Sequence, residues 1–404
     1  MIDKGIYFGQ YIIAFIIVNI VLPRLMFARS KRPALANFFA YFIQMVLLVI
    51  IVGYCLTLLK IFEMVTILVV FLFFIFGRTF VKKSKGSNKA ATKEVFQWVY
   101  DYADGIINLP KVIKTRFSEW TDTVRKSFQS QNMTSIATFI LSVSVLAYSG
   151  FLRIYDAFIN AAPAMSDSYV TLAWIKYIGQ NQLFHDGIYP QGFHIYQAVL
   201  QKFAGLDPLF VLKFTGPING LLIVLGIYFV VSSLLKNKQA GIIAAAVYGI
   251  FGNFLTESWE RQAATNSQEF AFVFIMPCLY FFYRYFTEED KQDLYIGGAA
   301  LTVIGLVHSL ALAFALFGGV VLMFAILVSD TKHFKKQPVW STIGVVAAAG
   351  VFSTIPSGSD SFLANRSTAL RLNLRYNKAS SSSTPSCTSR TTWCLPACSC
   401  WLYP

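Results

Sequence analysis

Apolar runs broken by short polar stretches recur along most of the chain. Ten of them, roughly 6–23, 36–58, 62–79, 134–152, 208–234, 239–254, 269–286, 294–307, 310–328 and 341–355, read as membrane-crossing helices. The pattern predicts an all-α polytopic membrane protein of about ten transmembrane helices. A large helical external loop, 153–207, falls between spans four and five. Inside that loop Val170, Ala173, Trp174, Tyr177 and Ile178 form one apolar face. The helix they define starts just after Asp167, stops at Gly179 and is expected to lie along the membrane surface. A second amphipathic piece follows His194, with Tyr196, Val199, Leu200 and Phe203.

Two segments depart from the spanning pattern. In 80–133, Ile113, Phe117, Trp120, Val124 and Phe128 recur at helical spacing among Lys111, Lys114, Arg116, Arg125 and Lys126. That is a basic amphipathic helix for the inner headgroup layer, preceded by the solvated hinge KKSKGSNKAATK. From Ser357 onward the periodicity vanishes and Ser, Arg and Cys increase. The tail reads either as a disordered external segment or as a wrong frame after a truncated gene; the second is preferred, because nothing in it resembles the preceding 350 residues. The expected organisation is a three-helix N-terminal membrane module (1–79), a basic cytoplasmic loop (80–133), a transmembrane core (134–355) and an aberrant or disordered tail (356–404).

Composition supports the membrane reading. The chain of 404 residues is 56% hydrophobic and 13% charged, against roughly a quarter charged in soluble domains. The formal charge of +14 comes from Lys and Arg clustered between spans, which suits an anionic membrane face and not nucleic acid. The basic loops at 24–33, 80–133, 235–238 and 329–340 share one side if the N-terminus is external. The expected location is therefore the cell membrane, multi-pass, with 59–61, 153–207, 255–268 and the break at His308 facing out. The first run lacks a basic leader and a small-residue cleavage site, and reads as a retained helix. Four of the six cysteines fall in the last eighteen residues; none has zinc or disulfide-framework spacing.

The candidate chemistry lies on that external side. Asp167 opens a helix, where a carboxylate serves as an N-cap or, alternatively, as a general base or metal ligand; the cap is favoured. In HDGIYPQGFH, Gly187 and Gly192 permit sharp turns and Pro190 biases Tyr189 toward extended backbone, bringing His185, Asp186 and His194 to the surface. The spacing matches no standard zinc motif, so no metal ligands are assigned; the cofactor is unknown, with a divalent metal an open alternative. Glu257, Glu260, Arg261 and Asn266 follow in the next external loop, with Arg261 either a phosphate ligand or the partner of Glu257. His308 is the ionisable group of a long apolar run, a functional candidate or a hairpin-tip residue. Lys213 is expected to snorkel outward and Pro217 to kink its helix.

SDSYVTLAWIKYIGQ…LFHDGIYPQGFHIYQAVL resembles the first large external loop of GT-C-type integral-membrane glycosyltransferases, the group of protein O-mannosyltransferases and oligosaccharyltransferase catalytic subunits. The points of likeness are the early acidic residue, Asp167, and the turn Tyr189, Pro190, Gly192, His194; LVHSLALAF resembles a later hairpin of that fold. The likeness covers about 135–355. It implies transfer of a sugar from a polyprenyl-phosphate donor to a glycan, lipid or protein acceptor, with Asp167 as base or metal ligand and Arg261 on the phosphate. Tyr189, His185, His194, Glu257 and His308 would line the substrate site. The sequence departs from the group in its second acidic residue, the nearest being Asp156, and breaks off where later spans are expected, so a truncated, inactive copy is one expectation. A transporter or flippase of a lipid-linked saccharide and a non-catalytic envelope protein are the alternatives; polar groups gathered at one face, without an internal repeat, favour the enzyme.

Overall fold

The computed structural model describes residues 2–27, 32–84, 100–101, 104–105, 114–115, 118, 121–122, 133–163, 165–184, 189–252, 259–329 and 339–354. Most of the basic amphipathic loop, including Ile113, Phe117, Trp120, Val124 and Phe128, lies outside them, as does the whole tail from 355.

Every regular element among the described residues is helical. Helix α1 (Ile2–Ile16) runs through a π turn (Ile17–Val21) into α2 (Leu22–Met26). Then come α3 (Ala34–Leu58), α4 (Met64–Ser84), α5 (Met133–Ile159), α6 (Asp167–Gly179) and α7 (Gly192–Ala204). The chain continues as α8 (Pro208–Leu234), α9 (Lys238–Gly249), α10 (Trp259–Ala263), α11 (Ser267–Glu288), α12 (Lys291–Val307) and α13 (Ser309–Ser329). A last apolar helix, α14, covers Val339–Thr354.

All ten apolar runs fall on helices, and six of these are long and apolar enough to cross a membrane: Asp3–Met26, Ala34–Leu58, Met133–Ile159, Pro208–Leu234, Ser267–Glu288 and Ser309–Ile326. Of α4 only Met64–Arg78 is given as apolar, and the 12 residues of α9 span about 18 Å, against the roughly 30 Å of a hydrocarbon core. Phe73, Phe317, Phe324 and Val328 are exposed on the helix surfaces, as lipid-facing side chains would be.

The core is an aromatic column. Phe15 on α1 meets Phe42 on α3, Phe42 stacks on Phe274 of α11 at 5.3 Å, and Phe270 stacks on Tyr196 of α7 at 4.9 Å. The first three spans thus belong to the same hydrophobic cluster as α7, α8, α11 and α12. The π turn has a clear partner: buried Asn19 donates to the Phe15 carbonyl at 3.0 Å and accepts from the Tyr196 hydroxyl at 3.1 Å. An extra residue in a helical turn disturbs the i→i−4 ladder, and Asn19 answers one of the carbonyls it loosens while tying α1 to α7.

The bundle has two chemically distinct ends. At one, Arg32 bonds the fully buried Asp293 at 2.7 Å, and Arg284 approaches the same carboxylate at 3.3 Å. At the other, the C-terminal carbonyls of α5 accept from two lysines, Lys4 onto Phe158 and Lys213 onto Asn160 and Ala161. Cations on orphan carbonyls at a helix C-terminus are favourable. Lys213 is thus largely buried along its stem, while its ammonium reaches carbonyls of the exposed residues Asn160 and Ala161.

Helix α8 runs unbroken through Pro217 with its backbone ladder locally altered. Pro217 removes one rung of the backbone ladder, and the hydroxyl of buried Thr265 inserts into the adjacent rung, between Gly216 and Leu212. It accepts from the Gly216 N–H at 2.8 Å and donates to the Leu212 carbonyl. A Cβ on Gly216 would collide with the Ala263 carbonyl, so glycine is what lets segment 263–265 lie against α8.

Candidate functional site

The site is assembled from three helix starts and one hairpin tip. Helix α6 begins at Asp167, but the cap position belongs to Ser166, which makes no side-chain cap hydrogen bond. The Asp167 carboxylate is 55% exposed and lies 3.9 Å from Arg261. The N-cap reading is thus corrected: standing one residue inside the helix, Asp167 keeps its oxygens available to the dipole end and to Arg261.

Arg261 is on short helix α10, carried to this end by the Thr265 insertion just beyond it. Its guanidinium bonds Glu269 at 2.9 Å and Gln268 at 3.0 Å, both in the first turn of α11. Asn266 caps that turn by accepting from the Glu269 N–H. Arg261 therefore stands between an exposed carboxylate, Asp167, and a buried one, Glu269. The partner expected from sequence, Glu257, lies outside the described residues.

Tyr189 precedes Pro190 and donates to, or accepts from, the Ser267 hydroxyl at 2.6 Å. Burial raises its pKa, an effect the Ser267 bond lowers and the neighbouring Asp167 charge reinforces, so the phenol stays protonated. Its ring meets His194 at 6.2 Å and His308 at 6.3 Å, both edge-on. Trp174, from α6, stacks on His194 at 5.1 Å.

His194 is 4% exposed, and its Nδ1 has no hydrogen-bond partner among the described residues. Burial pushes its pKa down to about 3, so the imidazole is neutral. His308 closes α12 in extended backbone and its Nδ1 accepts from the Ala311 N–H at 3.3 Å, capping α13. Burial, and then the charge of Arg261, lowers its pKa too. A neutral His308 that accepts at Nδ1 carries its proton on Nε2.

Asp167, Tyr189, His194, Arg261 and His308 thus form one cluster. His185 lies outside the described residues, together with Asp186 and Gly187. Gly192 has another role than the turn expected of it: it begins α7, and a Cβ there would come 2.7 Å from the Leu306 carbonyl, so it permits close approach of α7 to α12. Gln191 next to it is pinned to α3 by its N–H, which donates to the Tyr54 hydroxyl at 3.0 Å.

Both loop helices differ from the surface pair expected. On α6 the buried positions are Ser168, Thr171, Trp174, Ile175 and Ile178, while Val170 is 59% exposed. The inward face is rotated so that two hydroxyls point in. Helix α7 is buried all round from Gly192 to Leu200, against α1, α3, α6 and α8.

Sequence reasoning passed over four participants. Ser267, Gln268 and Glu269 begin α11 directly after its Asn266 cap, a helix-start pattern that would have placed them beside Arg261. Arg153 is fully buried in α5; its guanidinium bonds the Ser149 and Gly249 carbonyls at 2.9 Å and the Gln262 side chain. It was detectable as a lone cation within an apolar helix. No group of three or more His, Cys, Asp or Glu that could hold a metal ion occurs among the described residues. No protein-family model, curated protein or solved structure matches this chain.

Proposed function

We propose that the chain is a GT-C-like membrane glycosyltransferase, moving a sugar from a polyprenyl-phosphate donor to an acceptor hydroxyl at the external membrane face. The observation that carries this reading is an exposed carboxylate, Asp167, held beside a fixed cation, Arg261, in a cluster whose other members, Tyr189, His194 and His308, are neutral and aromatic. Neutral donors and acceptors with aromatic faces suit an uncharged polyol; a carboxylate next to a cation suits proton abstraction beside a leaving phosphate.

In the reaction, Asp167 takes the proton of the acceptor hydroxyl, whose oxygen forms a bond to the anomeric carbon. The bond from that carbon to the phosphate oxygen breaks, and polyprenyl phosphate leaves with the electron pair. Arg261, held by Glu269 and Gln268, supplies positive charge beside the base where the leaving anion develops. Ten spans, an external N-terminus and a cell-membrane location complete the proposal.

The test is release of polyprenyl phosphate from a panel of lipid-linked sugars by the full-length chain in membranes. Asp167→Asn keeps the shape and removes the base, and is expected to lower turnover by about 100-fold or more. Undiminished release in that variant sinks the catalytic assignment. One observation favours a second reading, a carrier for lipid-linked saccharide: Gln197, Thr215 and Asn219 are buried polar groups between α7 and α8. A carrier would move the intact donor across vesicles without releasing polyprenyl phosphate, and Asp167→Asn would not abolish that movement.

A further inference from the structure

A cavity of about 360 Å³ opens at the end of the bundle away from Asp167, between the π turn and the start of α3. Small-molecule sites occupy roughly 300–1,000 Å³. Its α3 wall is a single helical stripe, Ala34, Asn37, Phe38 and Tyr41; its other wall is Asn19, Ile20 and Arg24. About twenty residues of α3 separate Ala34 from Tyr54, which bonds the Gln191 turn beside the candidate site, so the two places are about 30 Å apart, the thickness of a hydrocarbon core.

The cations at this end are not equivalent. Arg32 and Arg284 are engaged with Asp293. Arg78 donates to the Arg24 and Leu25 carbonyls. The guanidinium of Arg24 makes no hydrogen bond or ion pair among the described residues, and it is the cation that lines the cavity. Inward from it the lining changes. Asn19, about five residues deeper on the same helix, lies some 7 Å further into the bundle, and Ile20 and Phe38 give the walls an apolar character. Charge at the mouth, amides and a phenol below, and apolar walls opening between two bilayer-length helices match an amphiphile with an anionic head. The first turn of α3, which carries Ala34 and has no side-chain cap, adds favourable potential for an anion there.

The geometry points to a lipid-phosphate site: the cavity takes the phosphate headgroup of a membrane lipid, with the phosphate on Arg24, the glycerol region by Asn19, Asn37 and Tyr41, and an acyl chain along Ile20 and Phe38. This site is separate from the Asp167 cluster and does not rest on the reading proposed for it.

The experiment is native mass spectrometry on the full-length chain in a neutral detergent, titrated with phosphatidic acid, phosphatidylcholine or inorganic phosphate. Wild type is expected to retain one phosphatidic acid under conditions that strip phosphatidylcholine. Arg24→Gln should weaken retention by about tenfold, the loss of one charge-assisted contact. Ala34→Trp, which fills the mouth and leaves the charge in place, should weaken it comparably. Equal retention of the two lipids, or unchanged phosphatidic acid binding in both variants, overturns the site. If inorganic phosphate displaces phosphatidic acid at matched concentration, the cavity is a small-anion site and the lipid assignment is overturned.

Discussion

His194 concentrates the electrostatics of the cluster in one side chain. It is buried against Trp174, Tyr189 and Phe193, and among the described residues its Nδ1 has no partner to receive a second proton's hydrogen bond. Folded, it stays neutral down to about 3; unfolded, it takes a proton near 6.5. Between those values the unfolded chain binds more protons, so the contribution of a neutral His194 is complete above pH 6.5 and is lost progressively as pH falls toward 3. At pH 5 the loss amounts to about 2 kcal/mol. His308, also lowered, acts with the same sign. Thermal unfolding of the detergent-solubilised protein at pH 8 and pH 5 should therefore show a drop in Tm that shrinks in His194→Phe. An identical drop in the variant would mean that His194 is not held neutral by burial. Arg153 is the opposite case, a charge kept in the interior because two backbone carbonyls and Gln262 receive it.

At the scale of elements, what positions the cluster is the seam between α8 and segment 263–269. Thr265 accepts from Gly216 and donates to Leu212, and Arg153 reaches Gln262 from the neighbouring helix. Thr265→Val preserves shape but removes the hydroxyl that bridges the Gly216 N–H and the Leu212 carbonyl, at a cost of about 1–3 kcal/mol where the methyl keeps the two from closing on each other. Its effect should exceed stability: Arg261 and Ser267 flank this seam, so donor turnover should fall even at temperatures where the variant is folded. A variant with lowered Tm and wild-type turnover would show that the seam does not position Arg261. The location of six helices long and apolar enough to span was legible in the sequence, because a lipid-facing helix needs about twenty apolar residues whatever its partners. Asp167, Arg261 and His308 fall in segments that the alternation of successive spans puts on one side, and the structure brings them near one another. The inward face of α6 was not legible. Apolar periodicity predicts an apolar inward face, but Ser168 and Thr171 turn inward and Val170 turns out. The Thr265 insertion and the Asn19 π turn were equally hidden, since each is a pairing between segments far apart in sequence.

At the scale of the whole molecule, both ends carry cations, and what differs is what holds them. Arg24, Arg32, Arg78, Arg284, Lys236 and Lys238 lie at the end of the bundle away from the cluster, where α3 and α12 begin and α8 and α11 finish. Asp167, Glu260 and Glu269 lie at the other, together with Lys4, Lys202, Lys213 and Arg261. Under the proposed function the cluster faces outward, which puts the Arg24 cavity toward the inner leaflet. The orientation is measurable in a cysteine-free background. Gln180 follows α6 at the cluster end, and Gln239 stands in the first turn of α9 at the other; both are exposed. A membrane-impermeant maleimide added to intact cells should label Gln180→Cys, and should reach Gln239→Cys only after lysis. The reverse pattern would turn Asp167 toward the cytoplasm and remove transfer at the external face, while leaving the geometry of the cluster as it stands. It would also move the lipid-phosphate cavity to the outer leaflet, where anionic lipid is scarcer and Arg24 would find fewer ligands. One labelling experiment therefore bears on both ends of the molecule, because α3 joins them as a single helix with the cavity at its first turn and Tyr54 near its last.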